Sequence, residues 1–164
     1  MGTRSMIAIQ NPYSKDIRAV YCHWDGYLEH NGAILNEHYT ASPKVNNLIA
    51  LGDLSSLRQE IGEKHAFSQF DLTDPAEIKA HEKLTETQCT FYTRDRGETA
   101  PYKFFKDVKE AVAYYDGSWC EYFYLFRYDA DQQAGKWFYR TRENGRWKRL
   151  ATALKAKVKE KEFA

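Results

Sequence analysis

The sequence predicts an α+β fold: an antiparallel sheet of about five strands with helices packed mainly on one face. Three observations predict it. Short runs of alternating or aromatic character are joined by turn residues, as in hairpins. Several other segments carry apolar residues at helical spacing. No repeat, low-complexity tract or flexible linker divides the 164 residues. One domain over 1–164 is therefore expected, with a basic hairpin and an amphipathic helix at 136–164.

Residues 4–10 (RSMIAIQ) and 17–24 (IRAVYCHW) read as two strands. The Asn, Pro, Ser and Asp between them are turn formers, so the pair is expected to form an antiparallel hairpin. In the second strand Val20, Cys22 and Trp24 share one face, and Ile17, Ala19, Tyr21 and His23 share the other. The first trio is apolar and belongs against the helices. That turns Trp24 inward and leaves His23 outside.

Asp25-Gly26 ends this strand. Leu28, Gly32, Leu35 and Tyr39 then recur at helical spacing, with Ile34 alongside. The dipeptide is read as the turn from strand into helix, with Asp25 placed to cap or charge-complement the helix start. Ser42 as N-cap, Pro43 in the first turn and a Val45, Leu48, Ile49 stripe predict a second helix, stopped by Gly52. GDLSSLRQEIG (52–62) reads as a loop with one short helical turn. Residues 53–86 are acidic and polar, and Thr73 or Asp74 before Pro75 marks a helix to about Leu84.

QCTFYT (88–93) reads as a strand running into RDRGE. Phe105, Val108, Val112 and Tyr115 line one face of a helix from about Phe104 to Tyr115, with Gly117 as its stop. WCEYFYLFRYD (119–129) is aromatic on both faces, which suits a central strand covered on both sides. KWFYRTRE and RWKRLAT flank Asn144-Gly145, a strong hairpin signal. In the tail Leu150, Leu154 and Val158 stand four apart, as in a short basic amphipathic helix.

Net charge is +1, but it is unevenly spread: residues 136–164 hold ten Lys or Arg against three Glu. Such asymmetry can steer an acidic partner to one end. Aromatics make up 15% of the chain, so core and surface are both built from rings. Three cysteines without C-x-x-C spacing argue against a disulfide scaffold and for a reducing cytoplasm. No apolar run is long enough for a membrane span. The opening MGTRSMIAIQ lacks a signal-peptide core, and it holds Met6 where a myristoylation signal wants Ser or Thr.

Together MGTRSMIAI, YCHWDGY, HYTASPKVNNLIALGDLSSL, FYTRDRGE and EYFYLF resemble a family of small accessory proteins common in tailed bacteriophages and prophages. The likeness spans most of the chain but not residues 58–86, and it carries no activity with it. What it implies is a class-level expectation: such phage proteins often bind and block host machinery, including defence systems.

The candidate sites are few. His23 and Asp25, with His30 or His38, invite a metal or acid–base reading. Metal sites need three or four converging ligands, and His30 and His38 point in different directions on a continuous helix. His23 and Asp25 therefore read as a strand-end histidine and a capping aspartate, with no metal and no cofactor expected. Arg94, Asp95, Arg96 and Glu98 form either a solvated salt-bridge knot around Gly97 or guanidinium forks for phosphate or carboxylate. With Arg4 nearby they would make a small anion pocket; their mixed signs favour the knot. Lys136, Arg140, Arg142, Arg146, Lys148 and Arg149 alternate with Trp137, Phe138, Tyr139 and Trp147. Cations plus rings suit single-stranded nucleic acid, but the favoured reading is a solvated hairpin whose rings face the core. Ser55-Ser56 lacks a nucleophile elbow, and Cys22 and His23 point to opposite faces of a strand.

The expected function is binding, with no catalytic residue assigned. The expected partner is a host protein or protein–nucleic acid complex in the cytoplasm of an infected bacterium. The contact candidates are His23, Asp25, Arg94, Asp95, Arg96, Glu98, Trp137, Arg140, Arg142, Arg146 and Trp147. A nucleotide or nucleic-acid binder working through the basic 136–149 hairpin is the second reading. A small hydrolase acting on a nucleotide-like substrate is the third, and it requires His23, Asp25 and the Arg cluster to converge in one cleft. The sequence carries no signal for oligomeric state.

Overall fold

The computed structural model describes residues 2–163. The fold is α+β, but its sheet is larger than expected and mixed. It holds eight strands: β1 (Ser5–Gln10), β2 (Ile17–Cys22), β3 (Leu54–Ser56), β4 (Thr90–Phe91), β5 (Lys103–Phe105), β6 (Tyr122–Tyr128), β7 (Gly135–Thr141) and β8 (Lys148–Arg149). The order is β4-β3-β2-β1-β6-β7-β8, with β5 also paired to β2. β1 and β2 form the expected antiparallel hairpin. β1 pairs with β6 in parallel, Ile7 opposite Tyr124, and β2 pairs with β3 in parallel at Cys22 and Leu54. These two parallel contacts replace the all-antiparallel sheet of five strands.

Six α-helices accompany it: α1 (Ala33–His38), α2 (Ser42–Ala50), α3 (Pro75–Thr85), α4 (Tyr92–Arg96), α5 (Val108–Asp116) and α6 (Leu150–Phe163). A π-helical turn at Leu28–Gly32 leads into α1. Alternation along the central strands fills two cores. Ile7, Ile9, Val20, Cys22, Tyr124 and Phe126 face α1, α2 and the start of α6 through Leu35, Val45, Leu48, Ile49 and Leu150. Met6, Ala8, Ile17, Ala19, Phe123 and Leu125 face α5 through Ala111 and Tyr115. One helix thus covers the face that the sequence left largely bare.

Several boundaries move. The loop expected at 52–62 contains β3, whose register comes from its neighbours β2 and β4 rather than from a pattern of its own. Phe104 and Phe105 lie in β5, and α5 starts only at Val108, after Asp107 Oδ1 accepts the amide of Glu110 at 2.8 Å. RDRGE does not directly follow a strand, because β4 ends at Phe91. Its first residues close α4, and Gly97 caps that turn in the left-handed region at φ 77°. The Asn144-Gly145 hairpin is present, but as part of a longer connection between β7 and β8.

Trp24 does not turn inward. β2 ends at Cys22, Asp25 takes a left-handed φ of 57°, and the indole is 43% exposed. Beyond Cys22 the inner face is occupied by the fully buried Asn31, whose amide donates to the Trp24 carbonyl at 3.1 Å. The π turn itself has Tyr27 as N-cap with no side-chain cap; Asp25 contributes only its carbonyl, to Asn31 N at 3.1 Å.

Candidate functional site

A cleft of about 900 Å³ opens on the α5 face, at the end of the sheet where β1 begins. Its floor is Met6, Ala19 and Tyr21; its walls come from α5 and from residues 117–120. Ala19, Ala113 and Gly117 supply no bulk, which leaves the space open. Arg4, Asp53 and Lys103 bring charge into it.

The outer edge of β2 places Lys103 and Asp53. β5 pairs with β2 only at residues 17–19, setting Lys103 opposite Ala19, and β3 joins it only at Cys22. Tyr21 N falls in the gap between them and donates to Asp53 Oδ1 at 2.9 Å. The Asp53 carboxyl therefore replaces a missing strand partner. Burial raises its pKa, opposed by that amide and by Lys103.

Arg4 Nε donates to the Tyr21 hydroxyl at 3.1 Å, and that hydroxyl meets His23 Nδ1 at 2.6 Å. Accepting from the guanidinium makes the phenol the better donor, and we assign its proton to the imidazole. His23 then carries its proton on Nε2, a tautomer assigned from this chain. Burial lowers the His23 pKa, and Arg4 lowers it further. Burial raises that of Tyr21, against the pull of Arg4. A charged guanidinium thus faces the cleft beside a protonated phenol.

The mouth is set by the turn after α5. Ser118 Oγ donates to Tyr115 O at 2.7 Å and accepts from Cys120 N at 3.2 Å, and the Tyr115 hydroxyl donates to Glu121 O at 2.8 Å. Both neighbours of Trp119 are anchored, and its ring stands 81% exposed. Tyr114, on the last turn of α5, is 44% exposed beside it.

The expected site residues fare unevenly. None of His23, Asp25 and Arg94 to Glu98 lines this cleft. His23 touches it only through Tyr21. Asp95 is buried, where it accepts Phe91 N at 2.8 Å, His65 N at 3.1 Å and Arg94 Nε at 3.0 Å. Arg94 donates its remaining nitrogens to the carbonyls of Ile61, Gly62 and Cys89. These two form an internal brace between the 61–65 segment and β4, which turns Asp95 away from solvent. Arg96 and Glu98 stay exposed as a surface pair, with Arg96 over the rings of Phe67 and Tyr92. Trp137 is 3% exposed, with its indole N–H on Tyr39 O at 2.8 Å, so it belongs to the core. Trp147 is half-buried, edge-on to Phe123, with Arg140 over its ring. Arg142 and Arg146 are exposed.

Burial raises the pKa of all three thiols, Cys22 to about 12. None is poised as a nucleophile. Among the described residues no three His, Cys, Asp or Glu side chains gather as metal ligands. No helix among them is long and apolar enough to cross a membrane. Trp119, Tyr114, Lys103 and Asp53 carry no sequence motif of their own: Trp119 adjoins the aromatic strand, and its one local signal is the Gly117-Ser118 turn just before it. No family model, curated protein or solved structure matches the chain.

Proposed function

We propose that the protein acts by binding, as a phage-type accessory protein that docks on a host protein in the bacterial cytoplasm and blocks it. The observation that carries this reading is the pair of rings, Trp119 and Tyr114, standing in solvent at the mouth of a cleft that holds Arg4 and Lys103. Trp, Tyr and Arg are the residues that dominate binding energy when a partner covers them. The partner brings an acidic side chain to Arg4 and Lys103 and an apolar rim for the two rings.

The test is affinity capture from host lysate with wild-type protein and with Trp119→Ser/Tyr114→Ser, followed by mass spectrometry and titration of the purified partner. A single host protein should be captured by the wild type, with affinity reduced at least about thirtyfold in the double variant, as for loss of a hot spot. Equal capture by a correctly folded double variant rejects this surface. No host protein specific to the wild type rejects the reading itself.

A further inference from the structure

We propose that a second surface, the open sheet face of β6, β7 and β8, binds single-stranded nucleic acid. It lies at the far end of the sheet from the cleft, where β1 ends, and it does not depend on the function proposed above.

The register builds it. Leu125 is opposite Phe138, Phe138 opposite Arg149, and Arg127 opposite Lys136. Directly opposed residues share a face, so Phe138, Arg149, Arg127 and Lys136 stand on the Leu125 side of the sheet. Phe123 opposite Arg140 adds Arg140 to the same side. Along β7 the order on this face is Lys136, Phe138, Arg140: cation, ring, cation, at a spacing of about 7 Å. The α5 core covers Phe123 and Leu125 but leaves Arg127, Lys136 and Arg149 exposed and Phe138 half-exposed.

The cations are held but not neutralised. Arg127 lies 5.4 Å and Arg149 5.9 Å from the centre of the Phe138 ring. None of Arg127, Lys136, Arg140 and Arg149 forms an ion pair with a described residue. Arg140 Nε is closed off from solvent without a partner. An open groove of about 660 Å³ beside them takes in Lys15, Arg127, Lys136 and Phe138, with Asp129 as its one carboxylate.

Two guanidinium groups on the Phe138 ring, with Lys136 and Arg140 flanking it along β7, suit a ligand that is anionic and flat at once. Bases in a single strand are free to stack on aromatic rings and guanidinium groups while their phosphates meet the cations. A duplex offers only its phosphates to such a face. Trp137 and Tyr139 do not belong to this surface, because the alternation of β7 sends both into the opposite core. Arg127 and Lys15 take their place.

Fluorescence anisotropy with the full chain and a short labelled oligothymidylate tests the proposal. Binding should weaken about 20- to 50-fold between about 50 and 200 mM salt, as expected when three or four phosphates are neutralised. Arg127→Glu/Arg149→Glu should reduce affinity at least about tenfold at low salt. Lys79→Glu/Lys83→Glu on α3, with the same charge change, should leave it within about twofold. Arg127→Gln/Arg149→Gln is the milder pair if the charge reversal unfolds the chain, judged by circular dichroism. No binding at low salt overturns the proposal, as does equal weakening by the two reversal variants. Tighter binding of the matching duplex overturns the single-strand assignment. Binding to phosphatidylserine vesicles but not to the oligonucleotide overturns it in favour of a membrane surface.

Discussion

The hydroxyl of Tyr21 lies 2.6 Å from Nδ1 of His23, and its other contact is the guanidinium of Arg4. Hydrogen bonding into Nδ1, burial and the Arg4 charge all favour the neutral ring. A histidine held neutral in the folded state contributes stability above its unfolded pKa, near 6.5, and loses it as pH falls from there through its lower folded pKa. The His23 midpoint, followed by NMR, should therefore lie below the ordinary value. Arg4→Met should move it upward and reduce the acid sensitivity of folding. A midpoint unmoved by this substitution would show that Arg4 does not act on the ring.

Asp95 and Arg94 set a different expectation. The carboxylate has no exposed side-chain area and holds two backbone amides together with Arg94. Removing one member of a buried pair strands the other. Asp95→Ala should cost about 3–5 kcal/mol in urea unfolding, and Asp95→Asn less, since one oxygen remains to accept. Binding of a partner by protein that stays folded should be unchanged. A cost below about 1 kcal/mol would mean that the brace is not structural.

What the sequence revealed divides by range. The β1–β2 hairpin, α2 and α3 announce themselves through local signals: turn residues, a Pro in the first turn, an apolar stripe. Asp74 caps α3 as expected, but the N-cap of α2 is Ala41, and Ser42 is its first helical residue and makes no capping bond. β3 and β5 do not, because three residues carry no period and their register is supplied by β2. The β1–β6 pairing joins Ile7 to Tyr124 with no local trace at all. It was visible only indirectly, as aromatic residues on both faces of 119–129. The mixed signs of RDRGE suggested one solvated salt-bridge knot, but adjacency could not show that Asp95 points inward to Arg94 while Arg96 points out to Glu98. The same holds for the basic hairpin, where one residue of register separates Trp137 in the core from Phe138 on the open face.

Trp137 illustrates the consequence. Its indole N–H reaches Tyr39 O, tying β7 to the residue that follows α1, and its ring packs on Phe126 at 5.1 Å. Trp137→Phe keeps most of the packing but leaves that buried carbonyl without its donor. The expected loss is about 1–3 kcal/mol in chemical denaturation, with affinity for oligonucleotide unaltered. A change in affinity without a change in stability would return this ring to the binding surface.

The thiols give the last prediction. Cys22 is wholly buried, and the apolar surroundings that raise its pKa to about 12 outweigh the donated hydrogen bond from Asn31. Cys89 and Cys120 are buried and raised for the same reason. Reaction with a disulfide reagent needs both thiolate and access. At pH 8 the folded protein should therefore leave all three cysteines unmodified for hours, and urea should release three equivalents at the rate of global unfolding. Prompt labelling of Cys120, which lines the cleft beneath Trp119, would show that the 117–120 turn opens without unfolding the sheet. Labelling of Cys22 before the others would show that the inner face beyond β2 is not sealed by Asn31.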